Sequence, residues 1–328
     1  MSMVRRRRLK VKWKNVLIFL ILVYLIITGL IKGTTAIYKF VTTPKKEVEK
    51  KEDINKSKEV EYVKKDETKK NEEELKKEKD EDSNKYNKTN DFDYKKLSYY
   101  KKDYLNRYIK YREKNFNLSI QQVVIDVNIG IDYPYYENVK KAKYLNKDYI
   151  LVNKYNYLNK NYVPNNLKTI SKSYAKDNMM MVKDAAYAFE TMARDAKSEG
   201  YSIIAMSTYR SYNYQVNLYN KYVKKDGKRK ADTYSGRPGY SEHQTGLAVD
   251  IYNGKVNYTS FEGTKEFTWM KNNAYKYGFI LRFPKGKEKE TGYEYESWHY
   301  RYVGVDIAKE IKDKNISLEE YHATNSLK

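Results

Sequence analysis

Two short stretches of this 328-residue chain concentrate side chains that can do chemistry. The first, SGRPGYSEHQTGLAVDIYN at 235–253, places His243 ahead of a glycine-containing turn and Asp250 inside the apolar run 247–251. An aspartate in such a run is costly to bury unless a cation or hydrogen-bond donors meet it. The second, YESWHYRYVG at 295–304, carries Glu296 three residues before His299, with Trp298 between them. Zinc accepts neutral imidazole nitrogen and carboxylate oxygen, and a catalytic zinc site keeps one position for water. Two histidines, an aspartate and a further glutamate therefore make a hydrolytic inventory, with three residues to hold a metal and one to act as general base. Each residue alone has a plainer reading. His243 could cap a turn, and His299 could be a satisfied, half-buried histidine. It is their joint occurrence with Asp250 and Glu296 that points to a site.

Composition narrows the alternatives. The chain has no cysteine, which excludes a disulfide-stapled fold, an iron–sulfur protein, a thiolate zinc finger and a cysteine nucleophile. It has three histidines, and the third, His322, matches no motif and is expected at the solvent-exposed C-terminal end. The formal net charge is +22, divided unevenly: residues 1–44 carry +9, residues 45–82 carry −2, and the remainder carries +15. A domain this basic attracts polyanions such as nucleic acid, acidic lipid or anionic wall polymers.

The elements that must position these residues are mixed. Residues 103–115 pattern as a helix, and 119–131 as a helix that could run into an extended piece. Residues 149–158 hold a short strand-like run. The clearest helix spans 180–200, where Val182, Ala185, Ala186, Phe189, Ala193 and Ala196 share one face and Gly200 is the stop. A strand at 201–209, a helix at 212–225, a strand at 246–252 and a helix at 262–278 ending at Gly278 follow. Strands at 279–283 and 293–303 and a closing helix at 305–315 complete the set. With no regular βαβ repeat, the fold class is α+β. Tyrosine is abundant, at 37 residues, and Tyr99, Tyr100, Tyr104, Tyr108 and Tyr111 recur at near-helical spacing. Such a stripe can stack on sugars or bases, but its simpler role is to fill half-buried faces.

The pattern S-x-H-x-x-G-x-A-x-D (Ser241, His243, Gly246, Ala248, Asp250), followed by E-x-W-H (Glu296, Trp298, His299), resembles the VanY-type zinc D-alanyl-D-alanine carboxypeptidases. The run STYRSYNYQ at 207–215 is similar to that family's Y-R-S-x-x-x-Q segment, and RYVG follows the second histidine. The resemblance covers about residues 103–313, including NLSIQQVVIDVNIGID and the LVNKYNYL…YVP stretch. It implies a Hedgehog/DD-peptidase-like fold, a small antiparallel sheet with packed helices and metal ligands on strands and adjoining loops. It also implies Zn²⁺ on His243, Asp250 and His299, with Glu296 as the base that takes a proton from the metal-activated water and returns it to the leaving amine. Arg210 would contact the substrate near its scissile carbonyl or terminal carboxylate, where a permanent forked donor is apt. Gln215 and Ser241 would line the substrate site. The chain departs from the pattern at Thr208, where a smaller residue is expected, and at Ser297, where proline is common. Neither change removes a ligand or the base.

The activity so implied is hydrolysis of the C-terminal D-Ala from peptidoglycan stem peptides. An L,D-carboxypeptidase acting on tetrapeptide stems is the nearest alternative, and a non-catalytic wall-binding protein is a further one. The N-terminus fits an exported enzyme. Four arginines at 5–8 precede a charge-free run at 16–31, which as a helix of about 1.5 Å per residue is slightly short of a bilayer core. Residues 1–14 read as a cytoplasmic tail and 15–32 as a single-pass transmembrane signal anchor, with a signal peptide cut near 35–36 as the other possibility. Residues 33–97 read as a charged, largely disordered stalk, since 28 of the 38 residues at 45–82 are charged. A flexible chain of about 50 residues spans about 35–40 Å by square-root scaling, enough to let a catalytic domain at 98–322 reach peptidoglycan outside the cell membrane. The export signal and the metal set argue against a nucleic-acid partner.

Overall fold

The computed structural model describes residues 91–327. The basic tail, the apolar segment and most of the stalk lie outside them. Among the described residues no helix is long and apolar enough to cross a membrane.

A four-stranded sheet stands at the centre: β1 (Ile204–Ser207), β2 (Ala248–Tyr252), β3 (Phe279–Phe283) and β4 (Glu296–Tyr302). Its order is β1-β2-β4-β3, and every neighbouring pair is antiparallel. Among the described residues the helices of seven or more residues are α1 (Leu105–Lys114), α2 (Ile120–Ile129), α3 (Lys183–Ser198), α4 (Tyr212–Asp226), α5 (Lys228–Tyr234), α6 (Lys265–Asn273), α7 (Val305–Lys314) and α8 (Leu318–Thr324). Two small strand pairs lie outside the sheet. Lys140–Lys141 runs parallel to Asn156–Tyr157, and Leu167–Thr169 runs antiparallel to Met180–Val182. This is the α+β arrangement expected from the sequence.

Alternation along the strands divides the sheet into a packing face and a chemical face. Val249 and Ile251 of β2 and Tyr300 of β4 join the main core, where α3 adds Ala185, Ala186, Phe189, Met192, Ala193 and Ala196. Phe189 meets Phe279 of β3 edge to face, with ring centroids 6.2 Å apart. Burying each large side chain here contributes roughly 1.5–3 kcal/mol. Asp250 and His299 occupy the intervening positions and sit opposite one another in the β2–β4 register.

The structure corrects the expectations at 180–200, 262–278 and His322, and bears out the helix at 119–131 and the packing role of the tyrosine stripe. The helix expected at 180–200 begins at Lys183, because residues 180–182 extend into a strand and Val182 N–H donates to Gly246 O at 2.9 Å. Residues 119–131 are helical through Ile129, capped by the Ser119 hydroxyl and closed by Gly130 in the left-handed region. The segment 262–278 is broken, since Thr264 is extended and its hydroxyl caps α6, and two short 3-10 turns flank that helix. Gly278 ends it at φ +82°, where a Cβ would lie 2.7 Å from Tyr302. His322 is not solvent-exposed. It sits on α8, and its Nε2 is 2.7 Å from Tyr149 O. The tyrosine stripe is a packing device: Tyr104, Tyr108 and Tyr111 join Val123, Val124 and Val127 in a separate cluster, and Tyr108 is fully buried. Tyr94 is buried in the same cluster.

Candidate active site

The sheet register brings the site together. Asp250 on β2 lies between Ser207 on β1 and His299 on β4, so three neighbouring strands place these side chains side by side. His243 comes from the adjoining loop, on a single 3-10 turn, Glu242–Thr245. That turn is closed by Gly246 at φ +70°, where an added Cβ would lie 3.0 Å from Leu167 and 3.2 Å from Pro164. Only glycine tolerates both the conformation and the space. The turn is held to the β1–α4 connection by Arg210 N–H, which donates to His243 O at 3.1 Å.

Glu296 reaches the same pocket through an irregularity. Strict alternation along β4 would put Glu296 and His299 on opposite faces. The β3–β4 pairing, however, steps from Leu281 opposite Tyr300 to Phe283 opposite Glu296, with more residues on β4 than on β3. Such a bulge re-aims side chains. It leaves Glu296 Oε2 3.9 Å from His299 Nδ1.

The potential ligand atoms converge. One nitrogen each from His243 and His299 and one Asp250 oxygen lie within 4.8 Å of one another, and all three residues are buried. His243 Nδ1 is 2.7 Å from Thr208 O. A carbonyl can only accept, so Nδ1 carries the proton and Nε2 presents its lone pair, 3.3 Å from Asp250 Oδ2. His299 Nδ1 lies 2.9 Å from Asp250 Oδ1, and Phe283 stacks on its ring at 4.8 Å. Two nitrogens and a carboxylate oxygen are a donor set that zinc accepts, so the residues fit the metal.

The charges fit it too. Burial, aided by Arg210, pushes His243 down to about 4, so it is neutral near pH 7. Burial opposes a charge on His299, but Asp250, Glu242 and Glu296 outweigh it and raise that imidazole to about 9. Burial acts to raise the Asp250 carboxyl, but His243, His299 and Arg210 hold it well below the usual carboxylate range. Burial, with Asp250 adding to it, pushes Glu296 up to about 8 against the pull of His299 and Arg210. A proton on His299 thus occupies the ground a dication would take, and metal uptake must release it.

Arg210, Gln215 and Ser241 line the same cavity, of about 490 Å³, together with Glu296 and the three potential ligands. Arg210 donates from Nη2 to Asp250 Oδ2 at 2.7 Å and from Nε to Ser207 Oγ at 2.9 Å. Gln215 on α4 is buried. Its Nε2 donates to Gly236 O at 2.8 Å, while its Oε1 has no hydrogen-bond partner among the described residues.

A buried ionic network behind the cavity had no part in the sequence reading. Glu242 Oε1 accepts from Arg282 Nε at 2.7 Å and from Arg301 Nη1 at 2.9 Å. Arg282 also grips both oxygens of Glu319 on α8, at 2.8 and 2.6 Å. Arg301 donates to the carbonyls of Asp148 and Ile150. Burial acts to raise the Glu242 carboxyl, but the two arginines and His299 hold it below its ordinary range. The signal was available: Arg282 in FILRF and Arg301 in WHYRYV are charges inside strand runs, the same anomaly that marked Asp250.

Known proteins resemble this arrangement. Residues 178–305 match the family model VanY, D-alanyl-D-alanine carboxypeptidase. The chain is 43% identical over 211 residues to YodJ of Bacillus subtilis (strain 168), a protein named as a carboxypeptidase; the match covers 58% of this chain and 75% of that relative. It is 32% identical over 194 residues to a D-alanyl-D-alanine carboxypeptidase of Enterococcus faecium, covering 56% of this chain and 60% of the relative. Among solved structures, the LdcB LD-carboxypeptidase superposes with a TM-score of 0.54 at 40% identity, over 58% of this chain and 92% of that one.

Proposed function

The chain belongs to the VanY family of D-alanyl-D-alanine carboxypeptidases, and from that membership we propose that it is a zinc-dependent D,D-carboxypeptidase that removes the C-terminal D-Ala from peptidoglycan stem peptides. The observation that carries this reading is the convergence of His243, Asp250 and His299 in one cavity with Glu296 beside them.

Zinc, held by His243 Nε2, an Asp250 oxygen and His299 Nδ1, would supply a Lewis acid that polarises the scissile carbonyl and acidifies water. Glu296 is the general base. Its buried carboxyl, raised while no cation is beside it, would be ionised next to a bound dication; as a carboxylate it takes the proton of the attacking water and delivers it to the leaving amine nitrogen. Arg210 supplies fixed positive charge at the carbonyl oxygen or the substrate carboxylate. Its Nε and Nη2 are held by Ser207 and Asp250, which leaves Nη1 to meet the substrate. The unpaired Gln215 Oε1 accepts a substrate N–H, and the Ser241 hydroxyl lines the same wall. Glu242 fixes the His299 ring from behind, its Oε2 facing Nε2 at 3.5 Å.

Hydrolysis of a stem pentapeptide and a stem tetrapeptide, followed by D-Ala release, tests the specificity. Release from the pentapeptide supports the D,D reading. Release from the tetrapeptide alone supports an L,D-carboxypeptidase, the reading favoured by the likeness to the LdcB LD-carboxypeptidase. Release from neither, by a zinc-loaded protein, leaves a wall-binding role. The charge-free run at 16–31 behind four arginines supports a membrane anchor with the catalytic domain outside the cell, and the +15 charge of residues 83–328 supports contact with anionic wall polymers. Protease treatment of intact cells tests the placement, since an external domain is cleaved and an internal one is protected.

A further inference from the structure

A second cavity, of about 460 Å³, shares no lining residue with the first. Its wall is cationic and aromatic. Lys101, Arg107, Lys140 and Lys143 line it with Tyr104 and Tyr133. Three of these cations gather on one ring: the Tyr104 centroid lies 4.2 Å from the Arg107 guanidinium and 5.3 Å from each of the Lys101 and Lys140 ammonium groups. Lys140 also donates to the Tyr104 hydroxyl at 2.9 Å.

The cluster is not compensated by acids. Arg107 pairs with Asp132 at 2.6 Å. Among the described residues Lys101, Lys140 and Lys143 have no carboxylate within ion-pair distance. Glu319, the glutamate in the wall, has both oxygens on Arg282. Lys101, Lys140 and Lys143 all lie at exposed positions along the wall; partial loss of water lowers the Lys101 pKa against the pull of Tyr104, and Lys140, Lys143 and Arg107 lower it further. Like charges gathered on one exposed wall repel one another, screened in part by water, and make a positive field open to an incoming anion. Here the tyrosine faces offset part of the repulsion, and a bound anion would offset the rest.

We propose that this cavity is a second binding site, for a polyhydroxylated chain bearing anionic groups. The lysines would take the phosphates or carboxylates, and the tyrosines would pack on sugar or polyol faces and bond their hydroxyls. Its volume suits one or two such units. The existence of the site does not depend on the metal centre. The choice of a wall polymer over other polyanions rests on the carboxypeptidase reading. A domain that grips the polymer here while cleaving a stem peptide in the other cavity gains effective concentration of substrate without any change in the catalytic groups.

The test measures binding and hydrolysis separately, on the full chain. The probes are polyglycerol phosphate, peptidoglycan stripped of phosphate polymers, and a single-stranded oligonucleotide of matched charge, each at about 150 mM salt to screen long-range attraction. The variant Lys101→Gln/Lys140→Gln/Lys143→Gln is compared with Lys224→Gln/Lys225→Gln/Lys228→Gln, which removes equal charge elsewhere. The proposal expects the cavity variant to lose about tenfold or more in affinity for one wall probe and the control less than about twofold. Hydrolysis of a soluble stem peptide stays unchanged in both. Loss with polyglycerol phosphate assigns a phosphate-bearing polymer, and loss with stripped peptidoglycan assigns the carboxylate-bearing substrate polymer itself. Equal losses in the two variants, tighter binding of the oligonucleotide than of either wall probe, or no binding of a wall probe by the parent chain would each overturn it. If the triple variant fails to fold, Lys143→Gln alone, at an exposed position, is expected to lose about two- to threefold.

Discussion

Glu242 Oε2 and His299 Nε2 face one another at 3.5 Å, both buried, and among the described residues neither has a hydrogen-bond partner elsewhere. When His299 ligates through Nδ1, its remaining proton must sit on Nε2, and Glu242 is the acceptor that meets it. A carboxylate behind a ligating imidazole fixes the ring and raises its basicity. Glu242→Gln keeps an acceptor but removes the charge. Chelator competition should show zinc affinity reduced by about 10- to 100-fold, with the metal still bound at saturation. The same variant should lose about 2–4 kcal/mol of stability in urea, because Arg282 and Arg301 lose a shared counter-charge. Unchanged zinc affinity would separate Glu242 from the metal site.

Glu296→Gln should leave zinc binding within about threefold of the parent and lower kcat by about 10²–10⁴-fold, the range for removing a general base. The residue lines the cavity beside the donor atoms without being one of the converging three. Isothermal titration and stem-peptide kinetics on the same preparation check both halves. A variant that loses zinc along with activity would make Glu296 a ligand.

Arg210→Lys keeps the charge, but a single ammonium nitrogen replaces the planar fork whose separate nitrogens reach Ser207, Asp250 and the substrate in different directions. A fall in kcat/KM of about 10²-fold is expected, by analogy with loss of one oxyanion donor. Equal activity of the lysine variant would show that point charge alone suffices there.

Much of this site could be read from the sequence, for a physical reason. Ligands, base and Arg210 fall in dense local motifs, and Asp250 in an apolar strand run is an anomaly visible without any structure. The sheet, α3 and α4 were legible because their apolar periodicity is regular. The Glu242–Arg282–Glu319 network was not, because it joins a loop, a strand and α8 across residues 242–319, and pairings at such separation leave no local pattern. The alternation rule misplaces Glu296, since a bulge in register is invisible to periodicity. The break at Thr264 was missed because apolar spacing continues through it while its hydroxyl caps a new helix.

His322 carries a pH signature. Burial, with Arg301, Arg282 and Lys101 adding to it, lowers this imidazole to about 4, against about 6.5 when unfolded. Between those values the unfolded chain binds the extra proton, so stability falls as pH drops through about 6.5 and the loss is complete near 4. Discounted for its partial contact with water, the effect is up to about 2 kcal/mol. Urea unfolding at about pH 7 and about pH 4.5 should show this loss, and His322→Gln should reduce it. A parent and variant with the same pH slope would contradict the assignment.

D-Ala release from a stem pentapeptide by protein stripped of metal and then titrated with zinc tests whether the His243, Asp250 and His299 site is the catalytic centre. Negligible release from the stripped chain and full recovery at one equivalent of zinc are expected, with no recovery in Glu296→Gln. Undiminished release from a chain shown to be metal-free, or stoichiometric zinc binding without release from any stem peptide, would contradict it.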